Sequence, residues 1–117
     1  MNNINDYRSG LINPDNLPNI DLHGETRDIT RVRVSEFIKD NYKMKNRFFC
    51  IIHGVSGGVV KEETIKTLKR NKLVLNYGGV LYNPGCTVVE LDIERPYWFD
   101  ILGLVWYHTY TLLIKRG

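Results

Sequence analysis

Two short apolar runs, each closed by His-Gly and each followed by a stretch with helical spacing, constrain this chain more than any other feature. Ile20-Asp21-Leu22 runs into His23-Gly24, and Arg47–Ile52 (RFFCII) runs into His53-Gly54. Short apolar runs stopped by glycine read as strands. The second is apolar without alternation, the pattern of a strand covered on both faces. After the first run, Thr26 can cap a helix, Asp28 suits the positive end of its dipole, and Thr30, Val34, Phe37 and Ile38 recur at helical spacing. A helix is predicted over 26–42. After the second run, Val60, Thr64 and Leu68 fall in line with Ile65 beside them, which predicts a helix over 59–71. Leu73–Leu75 begins another strand, which Gly78-Gly79 interrupts and Val80–Tyr82 resumes. Asn83-Pro84-Gly85 reads as a turn, and Cys86–Ile93 (CTVVELDI) as a strong strand.

The order β-α-β-α-β-β predicts an α/β fold. It is read as a two-layer sandwich with parallel pairing through both crossovers and helices backing the sheet. A chain of 117 residues suits one domain. That domain is placed at 19–94, after a flexible or irregular arm at 1–18 with turn signals at Asn13-Pro14-Asp15 and Leu17-Pro18. Cys50 and Cys86 sit inside apolar runs and form no CxxC pair, so they read as buried free thiols rather than zinc ligands. With a polar N-terminus that holds no apolar signal core, this leads to an expected cytoplasmic location.

Three features carry chemistry: Asp21-Leu22-His23-Gly24 at a strand end, His53–Gly58 (HGVSGG) between strand and helix, and Gly85-Cys86-Thr87 entering the last strand. A glycine-rich loop lets backbone approach a ligand closely, and the helix N-terminus after it offers free N–H groups to a phosphate. Lys61, in the first turn of that helix, adds a full positive charge. The loop lacks the GxxxxGK[ST] of nucleotide hydrolases. Parallel neighbouring strands put their C-terminal ends together, so His23 and His53 can face one phosphate between them, with Asp21 orienting or activating a histidine.

The run IDLHG at 20–24 resembles the LDLHG motif of small MutS-related (Smr) domains. HGVSGG resembles their HGxGxG motif, and PGCTVVEL at 84–91 resembles their closing strand. The likeness covers about 19–93. Ser56 stands where the motif has its middle glycine, and Gly57 is displaced by one place. The resemblance implies a fold like the C-terminal domain of a bacterial translation initiation factor. It also implies nucleic-acid binding, with DNA nicking or RNA cleavage as the activity. Its motifs map onto Asp21, His23, Gly24, His53, Gly54 and Gly58. The reading is an endonuclease in which Asp21, His23 and His53 are catalytic. Gly24, Gly54, Ser56, Gly57, Gly58, Lys61, Lys66 and Lys69 would hold phosphate or nucleic acid, either RNA or DNA. A binding module that does not cut stays open, as does a site for a phosphate-containing small ligand or a protein partner. No cluster shows metal spacing and no cofactor is assigned; a divalent ion held by Asp21 with help from the substrate stays open.

The net charge of +3 says little by itself. The basic residues nevertheless group, with Lys39, Lys43, Lys45 and Arg47 around the end of the first helix and Lys61, Lys66, Lys69, Arg70 and Lys72 along the second. Such groups suit contact with a nucleic-acid backbone. Tyr97–Ile114 is apolar but short of the roughly 20 residues of a bilayer span, and it contains Asp100 and His108, so no membrane is expected. Val105–Ile114 reads as a strand, with Trp106, His108, Tyr110, Leu112 and Ile114 on one face. The segment 95–117 is expected to pack on the domain's own sheet or to form a homodimer interface.

Overall fold

The computed structural model describes residues 3–55 and 58–94. Asn3 opens α1 (Ile4–Arg8) with a reciprocal cap: its side chain accepts from the Asn5 N–H, and Asp6 accepts from the Asn3 N–H. A single 3-10 turn, Pro14–Asn16, leads to β1 (Asn19–Asp21). Thr26 then caps α2 (Arg27–Lys43) by accepting from the Ile29 N–H at 3.3 Å. One turn apart, Thr30, Val34 and Ile38 form its buried stripe. β2 (Phe48–Ile52) leads through the glycine loop to α3 (Val59–Arg70), whose buried stripe includes Val60, Thr64 and Leu68. β3 (Val74–Val80) and β4 (Asn83–Leu91) close the fold.

The four strands form one sheet in the order β1-β2-β4-β3. Among the described residues, only β1 and β2 pair in parallel; β4 runs antiparallel to both β2 and β3. Parallel pairing through both crossovers was expected, and the second crossover gives none. The short β3–β4 connection returns β4 antiparallel beside β3, and β4 then takes the place next to β2. Its residues Gly85–Leu91 are buried, as a central strand requires.

Period-two alternation divides the core. Phe49, Ile51, Val89 and Leu91 face α2 and α3, where they join Leu22, Val34, Ile38, Val60 and Leu68. Phe37 meets Phe49 edge-on at 5.1 Å between ring centres. Phe48, Cys50, Cys86 and Val88 point the other way and are covered by Ile4 and Tyr7 of α1. The stretch read as a flexible or irregular arm therefore contributes two short helical pieces and a second, smaller core. Both cysteines are free and buried there.

Two local expectations change. β3 runs through Gly78-Gly79 without interruption, with register shifts only at Val74/Asn76 and Gly79/Val80. Gly78 makes room for Arg8: a Cβ there would collide with its guanidinium, and Arg8 Nε donates to the Gly79 carbonyl at 3.0 Å. The chain reverses at Leu81-Tyr82, and Asn83-Pro84-Gly85 already belongs to β4. Proline lacks a ladder donor and is tolerated at such a strand start. Among the described residues, no helix is long and apolar enough to cross a membrane. The expectations for Ser56, Gly57 and the segment 95–117 lie outside the described residues.

Candidate functional site

The parallel pairing of β1 with β2, in the register Asp21↔Ile52, brings the two His-Gly segments side by side. Leu22 continues the ladder, donating its N–H to the Ile52 carbonyl at 2.8 Å. Beyond it, Asp21 Oδ1 accepts from the His23 N–H at 3.1 Å and from His23 Nδ1 at 2.6 Å. The side chain of Asp21 thus closes a turn around its own strand end and fixes the imidazole orientation. Both groups are exposed. The hydrogen bond to Asp21, and then its charge, raise the His23 pKa above the ordinary histidine value; the same bond lowers that of Asp21. With Nδ1 turned to Asp21, Nε2 is left to an outside partner.

His53 behaves differently. It continues the row Phe49-Ile51-His53 on the helix-facing side of β2, and Thr87 begins the row Thr87-Val89-Leu91 on β4. His53 is accordingly buried, with Nε2 2.9 Å from Thr87 Oγ1 and Nδ1 3.1 Å from the Gly54 carbonyl. A carbonyl can only accept, so Nδ1 carries the proton and Nε2 accepts from the Thr87 hydroxyl. Burial, assisted by the charge of Lys61, lowers the His53 pKa, and the bond to Gly54 opposes this only in part. The expectation that His53 would face a phosphate together with His23 meets this geometry: both ring nitrogens are occupied by protein groups, and the ring anchors the loop from beneath.

Gly85 completes the support. Its carbonyl accepts from the N–H groups of His53 at 2.9 Å and Gly54 at 3.2 Å. A Cβ on Gly85 would stand 3.2 Å from the Gly54 carbonyl carbon, so glycine allows the loop to lie this close. Gly54 itself has φ +92°, a conformation that favours glycine. The sequence marks Gly85 and Thr87 without giving them a role. Their i, i+2 spacing, which puts them on one side of β4, is the signal that links them.

These elements bound an open groove of about 980 Å³, lined by His23, Gly24, Glu25, Ile52–Val55 and Gly58–Val60. Gly58 caps α3 without a side-chain bond, so among the described residues no capping side chain takes the first-turn amides of this helix. Beyond Gly58 the surface continues into a shallower groove lined by Lys61, Glu62, Ile65, Lys66 and Lys69. Lys61 and Lys69 are exposed; Lys66 pairs with Glu62 at 3.2 Å, which mutes its charge. Glu63, buried and unmarked in the sequence, clasps Arg27 at 3.2 Å and Arg31 at 3.9 Å and ties α2 to α3 behind the groove. Among the described residues, no group of three or more His, Cys, Asp or Glu is placed to hold a metal ion. Asp21 is one carboxylate with one oxygen already committed to His23.

The anchor predicts a stability effect. Thr87→Val keeps shape but leaves buried Nε2 without its donor, which should cost about 1–3 kcal/mol. Thr87→Ser should restore most of it. Denaturant unfolding of the three proteins measures this, and a Thr87→Val protein as stable as the parent would refute the assigned bond.

Residues 20–92 match the family model described as the Smr domain. Over 75 residues the chain is 35% identical to the endonuclease MutS2 of Caldicellulosiruptor saccharolyticus, covering 62% of this chain and 10% of that protein. Over 73 residues it is 32% identical to the endonuclease MutS2 of Streptococcus suis, covering 60% and 9%. The match therefore spans about a tenth of the length of these relatives. The crystal structure of the Smr domain of Thermus thermophilus MutS2 is similar in fold, with a TM-score of 0.62 at 23% identity over 68% of this chain and 100% of that one.

Proposed function

The chain belongs to the Smr domain family, and on that premise we propose that it binds nucleic acid along the groove and cleaves a phosphodiester bond beside His23. The observation that carries this reading is the 2.6 Å bond between Asp21 and His23, exposed at the mouth of a groove that continues into the Lys61–Lys69 surface. The likeness to proteins named endonuclease agrees with it.

In this reading the imidazolium of His23 is the general acid. Water attacks phosphorus, a P–O bond forms, and the bond to the leaving oxygen breaks. His23 Nε2 gives its proton to that oxygen, the proton of the attacking water goes to solvent, and solvent recharges the imidazole. Asp21 holds the ring and favours its protonated form. The amides at the start of α3 and the charge of Lys61 stabilise the negative charge on the phosphoryl oxygens. His53 positions the loop. RNA and DNA both fit this chemistry.

A second reading, a module that holds nucleic acid without cutting it, is favoured by Ser56 in place of the motif's middle glycine. Both readings require backbone contact. If three to five phosphates are engaged, log affinity should fall with log salt at a slope of roughly −2 to −4.5. Neutralising Lys61 and Lys69 together should flatten that slope. Anisotropy titrations across salt test it; a salt-independent affinity would refute backbone binding and favour a small phosphate-containing ligand. Cleavage of the bound oligonucleotide then separates the two readings.

A further inference from the structure

A single exposed apolar side chain is ordinary on a protein surface. Here the distribution is uneven. Among the described residues, the four most exposed large hydrophobics are Tyr82 at 85%, Leu11 at 78%, Val55 at 75% and Leu81 at 66%. All four gather at the end of the sheet where β1 and β2 finish. Val55 follows β2 in the glycine loop. Leu81 and Tyr82 make the turn between β3, which ends there, and β4, which begins there against the end of β2. Leu11 is brought to that turn by the N-terminal segment: the Leu81 N–H donates to the Arg8 carbonyl at 2.7 Å, and a Cβ on Gly10 would stand 3.9 Å from Tyr82 Cδ2.

The same end of the sheet carries Asp21 and His23, beside a groove that holds Val55 and Val59 and continues to Lys61. A strand spacing of about 4.8 Å puts the β3–β4 turn roughly 12 Å across the sheet from β1, within the span of a short single strand. A paired duplex turns its phosphates outward and buries its base faces. An unpaired strand offers both phosphates and base faces. Tyr82 supplies a flat ring that any base can stack on, and the lysines supply the charge that the backbone needs.

The geometry points to an unpaired, single-stranded nucleic-acid segment as the substrate, with Tyr82 stacking on a base a few nucleotides from the bond held at His23. This rests on the groove being a nucleic-acid site. The test is fluorescence anisotropy of the full chain with a labelled 12-nucleotide DNA, the RNA of the same sequence, and the duplex of each. Single strands of either sugar should bind more tightly than the duplexes. Tyr82→Ala should weaken single-strand binding about 5–150-fold. Tyr82→Trp should keep it, and neither change should alter the salt slope, because the ring carries no charge. Tyr82 is a turn residue on the surface, so circular dichroism should not distinguish the variants. Duplex binding as tight as single-strand binding overturns the inference. So does a Tyr82→Ala protein that binds single strands as the parent does while Lys61→Gln with Lys69→Gln weakens them; that result would leave the nucleic-acid site standing. Failure of the parent protein to bind any oligonucleotide would remove the site reading itself and this inference with it.

Discussion

Asp21→Asn and His23→Ala should each slow phosphodiester cleavage by roughly 10²–10⁴-fold with no loss of fold. Both side chains are exposed at a strand end and neither belongs to the core. Asp21→Asn keeps an acceptor for the imidazole and removes only the charge, so it adds a second readout. Asp21 raises the His23 pKa through its hydrogen bond and then its charge. The protonated acid therefore persists above the ordinary value of about 6.5. The rate that it carries is lost as pH rises through the raised value. In Asp21→Asn that falling limb should move to lower pH, toward the ordinary value. A lower rate with an unshifted limb would deny Asp21 its electrostatic part, and unchanged cleavage by both variants would assign the activity to a contaminant. The histidines have opposite linkages to stability. The pKa of His53 is lowered by burial, so its unfolded form takes up the proton first, and the domain should lose stability as pH falls below about 6.5.

Gly54→Ala should be the most damaging change in the loop. At φ +92° any side chain is strained, at about 1–3 kcal/mol. The new Cβ would also stand 3.3 Å from His23 Cβ, close enough to push the acid off its position. Misplacement on the ångström scale can cost on the order of 10²-fold in rate. Gly24→Ala is the matched control. Its φ is +78°, so the backbone strain is similar, but nothing lies within 4 Å of the added carbon. Both variants should lose stability, measured by denaturant unfolding, and only Gly54→Ala should show the large further loss of rate. Equal rate losses would mean that backbone strain alone matters and that the contact with His23 does not.

The sequence carried most of the frame because its signals were local. Thr26 and the stripe Thr30-Val34-Ile38 define α2 within a residue or so, and Val60-Thr64-Leu68 does the same for α3. Strand order was less legible, since nothing local to Cys86–Leu91 says that β4 lies between β2 and β3. Gly78-Gly79 looked like an interruption because the reason for Gly78, the Arg8 side chain lying over it, comes from about 70 residues away in sequence. The site divided in the same way. Asp21 and His23 are two residues apart, and their pairing follows from an ordinary strand-end turn. His53 carries the same His-Gly signature as His23, yet the two histidines have opposite surroundings. Alternation along β2 places His53 on the buried side with Ile51, and its partner Thr87 lies 34 residues further along. Parity puts His53 in the row of Phe49 and Ile51, but both rows of Phe48–Ile52 are apolar and covered, so it is the bond to Thr87 that sets His53 apart from His23.

Substrate should meet the protein at His23 while His53 stays behind the loop. Histidine side-chain nitrogen spectra, recorded on selectively labelled protein titrated with a single-stranded oligonucleotide, test it most directly. The His23 nitrogens should shift with saturation at the binding stoichiometry. Those of His53 should keep the signature of a neutral ring protonated at Nδ1. Saturable shifts at His53 with none at His23 would contradict this placement.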